Sequence, residues 1–257
     1  MLSKTLLLSS FIFSVIYPLC FWISFKDPLK NNFHKFHIGL SNVVAGLVII
    51  SLFFMNLPLK ILLVCIFWKA TLLSVSSYSW KKSYPNPKLL TIPFITGIFA
   101  YSQLHSFLLS PNLSGIFSWV LGGFIFCSSL FAMNLGHWYL NVHGLPMAHL
   151  KRASYILGIF LLARLIADAG LIVTSHVFSD GEFVSLINFI KKLDGFFLLI
   201  ALFFGTLFPL IALYFVKGTL DVKNTQSATG ILYVILASIL IGDMTYKYYL
   251  IKFGIAL

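Results

Sequence analysis

Apolar residues run continuously through eight stretches of the chain, and polar residues collect in the breaks between them. The stretches cover 5–24, 38–56, 59–79, 91–110, 115–135, 153–175, 192–216 and 230–251. Each comes close to the ~20 residues that a helix rising about 1.5 Å per residue needs to cross a hydrocarbon layer of about 30 Å. Only helices and closed barrels satisfy every backbone N–H and C=O in lipid, and barrel strands alternate apolar with polar, which these stretches do not. The pattern predicts an all-α fold, a polytopic transmembrane helical bundle of about eight spans forming a single domain over residues 1–257. Longer connections are expected at 25–37, 80–90, 136–152, 176–191 and 217–229.

Breakers modulate this pattern. Pro18 falls late in the first span, and Pro209 lies in the seventh, four residues after Gly205. Each proline lacks an amide hydrogen and favours a kink unless a neighbour satisfies the freed carbonyl. Gly122-Gly123 in the fifth span admits close approach of another helix. Lys4 is followed by LLLSSFIFSVIYPLCFW, with no small-residue cleavage site, and is read as leading into a span.

Composition agrees with lipid as the main solvent: 59% of residues are hydrophobic and only 10% charged, against roughly 25% charged in soluble domains. The net charge of +11 sits mostly in short loops, where lysine sets topology and meets anionic lipid. No basic face or recognition motif points to nucleic acid, so membrane lipids are the expected partners. Lys26, Lys30, Lys35, Lys81, Lys82, Lys88, Lys151, Arg152, Lys217 and Lys223 fall on one side of the eight-span scheme, against Lys4, Lys60, Lys191, Lys192 and Lys252 on the other. The positive-inside rule then predicts both termini outside, and the Lys-rich loops fit a bacterial inner membrane. Cys20, Cys65 and Cys127 lie within apolar runs and read as small buried hydrophobes.

Charges inside the spans change the picture most. Lys69 and Arg164 fall near the bilayer centre, and Asp168 and Asp243 within roughly 4 to 6 Å of it. Each would cost about 2.5 to 3.5 kcal/mol at a helix centre, so all four are expected to turn inward. Arg164 can pair with Asp168 one turn along its helix and Lys69 with Asp243 across helices, or the partners can exchange. His105 lies at a similar depth, and Lys247 sits one turn beyond Asp243. The plain reading is an ion-pair network that fixes helix register; the functional one is a polar centre that moves a proton, ion or small solute.

The stretch 134–152, NLGHWYLNVHGLPMAHLKR, is the densest polar-aromatic interruption. Its His137, His143 and His149 share the inner side with His34 and His37, and His34 and His37 are spaced to share a helix face. Neutral imidazole binds zinc, copper, nickel and haem iron, so a membrane subunit of an electron-transfer or metal-handling assembly, binding haem, metal or quinone, is the second reading. The simpler account is an interfacial belt, with Trp138 and Tyr139 at headgroup level and His137 able to extend the fifth span. A third reading is a scaffold subunit that holds protein partners. Asp27 and Asp221 are the only inner-side carboxylates, so an aspartate-rich magnesium site is not expected.

Overall fold

The computed structural model describes residues 2–25, 29, 32–109, 112–142, 145–179 and 181–256. Among the described residues, eight helical segments are long and apolar enough to cross a membrane: Leu2–Ser24, Phe33–Phe53, Leu59–Trp80, Pro87–Leu109, Leu113–Asn141, Ala148–Thr174, Leu193–Asp221 and Thr225–Phe253. These are the eight expected spans, most of them extended by a turn or more of helix. The chain is a multi-pass, helical membrane protein. Of the residues named above, Lys26, Asp27, Lys30 and His143 lie outside the described residues.

Contacts divide the chain into two compact units, Met1–Ile116 and Phe117–Leu257. The first comprises α1 (Leu2–Ile16) with a 3₁₀ continuation Tyr17–Ser24, α2 (Phe33–Phe53), α3 (Leu59–Trp80) and α4 (Pro87–Leu109). α1 and α3 each pack against both α2 and α4, which closes a ring of four helices. Phe11 stacks on Trp68 with ring centroids 4.2 Å apart, and Tyr101 meets Phe11 edge-on at 5.9 Å. A Cβ at Gly97 would lie 2.6 Å from Trp68 Nε1 and 2.7 Å from Val15, so glycine is what lets the indole enter this core. The change from α to 3₁₀ comes at Tyr17, one residue before Pro18, where the proline ring would crowd the carbonyl four residues back.

The second unit begins within the first turns of α5 (Leu113–Asn141). It continues with α6 (Ala148–Thr174), a hairpin of β1 (His176–Ser179) and β2 (Glu182–Ser185), α7 (Leu186–Ile190), α8 (Leu193–Leu202), a π-helical turn Phe203–Leu207, α9 (Phe208–Asp221) and α10 (Thr225–Phe253). Among the described residues, the connection 176–191 thus holds a hairpin and a short helix. The strands pair antiparallel from His176 opposite Ser185 to Ser179 opposite Glu182. Ser185 then caps α7 by accepting from the Asn188 amide at 3.4 Å. Val177, Leu186 and Phe189 bury against Leu198, Ala201, Tyr246 and Tyr249, so this segment closes one end of the unit with its own small core.

The stretch 134–152 is mostly helix. α5 runs on to Asn141 and α6 starts at Ala148, so His137 and His149 are helical and the true connection is only a few residues long. The Tyr139 hydroxyl donates to the Pro146 carbonyl and ties the connection to the end of α5. Outward-facing rows such as Tyr155, Ile159, Leu162 and Ile166 on α6 are exposed apolar side chains, the surface that lipid solvates.

Candidate functional site

Beyond its first turn, the buried positions on α6 are Ala153, Leu157, Leu161, Arg164 and Asp168, spaced four, four, three and four apart. They form one face, and its apolar stripe ends in two opposite charges. On α10 the buried Ser238, Gly242, Tyr246 and Tyr249 follow the same spacing. The π turn brings Thr206 into the space between these faces, where it is fully buried.

Three features make that turn possible. The Phe208 amide bonds to the Phe203 carbonyl, five residues back. Continuing that register would bond the amide of residue 209 to Phe204, but residue 209 is proline and has no hydrogen to give. The Ser238 hydroxyl supplies the missing donor, bonding to the Phe204 carbonyl at 2.6 Å. Gly242 lies directly on the backbone of Gly205, so the two glycines let α10 approach the widened turn.

At this crossing Arg164 Nε and Asp168 Oδ1 form an ion pair at 3.3 Å, with 2% and 1% of their side chains exposed. Arg164 Nη1 donates to the Ser118 carbonyl at 3.2 Å, and the guanidinium lies over the Tyr246 ring, 4.0 Å from its centroid. The Tyr246 hydroxyl donates to Asp168 Oδ2 at 2.5 Å and lies 3.1 Å from the Thr206 hydroxyl. The cation is thus held by carboxylate, carbonyl and aromatic face together. Such multiple pairing offsets the large penalty of taking a charge out of water. Chemically the oxygens of Thr206, Tyr246 and Asp168 form a hydrogen-bonded series ending on a carboxylate. A hydroxyl can both donate and accept, which is the chemistry a proton relay needs.

A second pair adjoins the first. Lys247, next in sequence to Tyr246, donates to Asp243 one turn earlier, and its ammonium stands 4.7 Å from the centroid of Trp119. A Cβ on Gly122 would meet Asp243 Oδ1 at 2.5 Å, so the glycine of α5 leaves room for the carboxylate. Two basic and two acidic side chains therefore occupy the interior of the second unit.

Arg164, Asp168 and Asp243 of the expected centre lie in this unit, and Lys247 supplies its second cation. Lys69 belongs to the first unit, where its ammonium donates to the Asn42 backbone carbonyl at 2.8 Å and to Asn42 Oδ1 at 3.0 Å. Asn42 in turn donates to Ser76 at 2.6 Å. Lys69 and Asp243 each find a partner within their own unit. His105 is buried in the first unit against the Tyr101 ring, centroids 5.8 Å apart.

His34 and His37 share the buried face of α2 as their spacing predicts. They are interior residues, not loop residues: His37 Nδ1 and the Tyr17 hydroxyl share a hydrogen bond of 2.7 Å amid Phe21, Phe33 and Phe36. In the second unit His137 is exposed, with Nδ1 3.4 Å from the Tyr233 hydroxyl, and His149 is buried. His143 lies outside the described residues. Among the described residues no three His, Cys, Asp or Glu side chains gather into a metal-holding group.

Tyr246, Thr206, Ser118 and Trp119 were not singled out from the sequence. The regular recurrence of Ser238, Gly242 and Tyr246 on α10 was the one available signal, since small and hydroxyl side chains repeating every four residues mark a helix face that another element approaches closely. Compared with protein-family models, curated proteins and solved structures, the chain matches none.

Proposed function

We propose that this membrane protein moves a proton across the bilayer, with the second unit's buried ionic centre as the pathway's midpoint and Asp168 as the group that exchanges the proton. What supports the reading is the Tyr246 hydroxyl bonded to a fully buried carboxylate, with Thr206 behind it and Arg164 opposite. Intramembrane carboxylates are costly, and relays of Asp, Glu and His are a common reason for keeping them. Arg164 stabilises the ionised carboxylate, and Tyr246 donates to it. Asp243 and Lys247 provide a neighbouring pair to which charge can redistribute. In this reading the Lys-rich ends of the helices face the cytoplasm of a bacterial inner membrane and both termini face outward, following the loop charges.

The test is proton flux into proteoliposomes carrying a trapped pH dye. Asp168→Asn keeps the shape and removes the exchangeable charge, so flux should fall to the protein-free leak while the amount inserted stays the same. Tyr246→Phe should slow flux by about a hundredfold or more, as expected for loss of one proton-transfer partner. Wild-type flux in Asp168→Asn would refute the proposal.

A further inference from the structure

α9 is flanked on its lipid side by two apolar grooves that meet at one lysine. The groove between α6 and α9, about 610 Å³, is floored by Gly158, Ile159, Leu162, Leu210 and Leu213. The groove between α9 and α10, about 730 Å³, is lined by Phe208, Ile211, Phe215, Ile231 and Val234. Tyr214, Lys217 and Asp221 line both. Tyr214 is 74% exposed and forms the ridge between them, and Lys217 stands one turn beyond it on the same face.

Length and charge define what fits. From Lys151 to Leu162 on α6, and from Leu210 to Asp221 on α9, eleven residues span about 16 Å, close to half of a hydrocarbon layer of about 30 Å. The grooves therefore cover one leaflet, with their polar ends at headgroup level. There Lys151 bonds Asp221 at 2.7 Å, and Lys217 adds a second ammonium to that single carboxylate. The shared mouth carries a net positive charge, and tyrosine and lysine are side chains suited to the interface.

We infer that an anionic, two-chain glycerophospholipid straddles α9, with its phosphate on Lys217, its glycerol over Tyr214 and one acyl chain in each groove. A single-chain amphiphile would fill one groove and leave the other open. A zwitterionic lipid would bring its own cation against the lysines. The inference does not depend on the proton-transfer reading, since the grooves lie on the outer faces of α6, α9 and α10.

Native mass spectrometry of the full chain tests it, with dioleoyl phosphatidylglycerol, its one-chain lyso form and dioleoyl phosphatidylcholine supplied in equal amounts. The two-chain anionic lipid should be retained, and the other two each at least about fivefold less. Lys217→Gln should reduce retention of phosphatidylglycerol about fivefold, with Lys217→Arg restoring it. Gly158→Leu, which fills one groove, should bring the two-chain lipid down to the level of the lyso form. Lys252→Gln, at the far end of α10, should retain it as the wild type does. Equal retention of phosphatidylglycerol and phosphatidylcholine, or full retention by Lys217→Gln, would overturn the proposal. Equal retention of the one-chain and two-chain forms would overturn the straddling geometry and with it the inference.

Discussion

Arg164 and Asp168 illustrate how a buried charge is tolerated when each of its faces has a partner. The guanidinium meets a carboxylate, a carbonyl and the Tyr246 ring, and the carboxylate meets the guanidinium and a phenol. Removing one member should therefore cost more than removing both. Arg164→Ala is expected to destabilise the protein by about 3–5 kcal/mol, because a carboxylate is left in the interior without its cation. Arg164→Met combined with Asp168→Leu should recover most of that loss, since apolar groups of similar volume need no partner there. Reversible unfolding of the two variants in mixed micelles measures the difference; equal losses would mean that the carboxylate left without its cation is not what destabilises Arg164→Ala. The depth of Arg164, Asp168 and Asp243 was legible in the sequence because a charge within a span is conspicuous. Tyr246 and Thr206 were not, because hydroxyl side chains are common in membrane helices and draw no attention until their partners are known.

The π turn is decided by more than its own residues. Pro209 removes one donor, and the hydroxyl on α10 that replaces it is 29 positions away in sequence. Ser238→Ala should cost about 1–3 kcal/mol, the penalty for an interior carbonyl left without a partner. Pro209→Ala restores the main-chain amide, so in that background Ser238→Ala should be nearly neutral. A double-mutant cycle on unfolding free energies gives the coupling directly. Independent, additive effects would show that the serine and the proline do not serve the same carbonyl. The sequence predicted a local disturbance at Gly205 and Pro209. Its form, a widened turn in place of a simple kink, depends on what lies across from it.

At the scale of the whole chain, eight crossings make a topological commitment. With the native cysteines replaced, single cysteines at Ser83 and Lys223 should react with a membrane-impermeant maleimide from one side of sealed vesicles. Cysteines at Asn56 and Glu182 should react from the other. Ser83 and Lys223 reacting from opposite sides would remove or add a crossing between them and overturn the eight-span scheme.

Eight spans and their approximate limits followed from the sequence alone, because a helix in lipid must carry enough contiguous apolar residues to cross the layer, and that demand is local. The same local logic marked the charges within the spans and the shared face of His34 and His37. The pairing of Arg164 with Asp168 one turn along α6 was also legible, whereas the partners across helices were decided by the tertiary structure. Lys69 is satisfied by Asn42, a neutral residue, while Asp243 is satisfied by Lys247 on its own helix. His137 and His149 of the dense stretch at 134–152 became parts of two helices, because interfacial residues can join a helix without crossing the membrane. Depth is a property of position along one helix and can be counted. Adjacency depends on how helices turn and cross, and it was set here by glycines at 97, 122, 205 and 242 that let specific side chains and backbones meet.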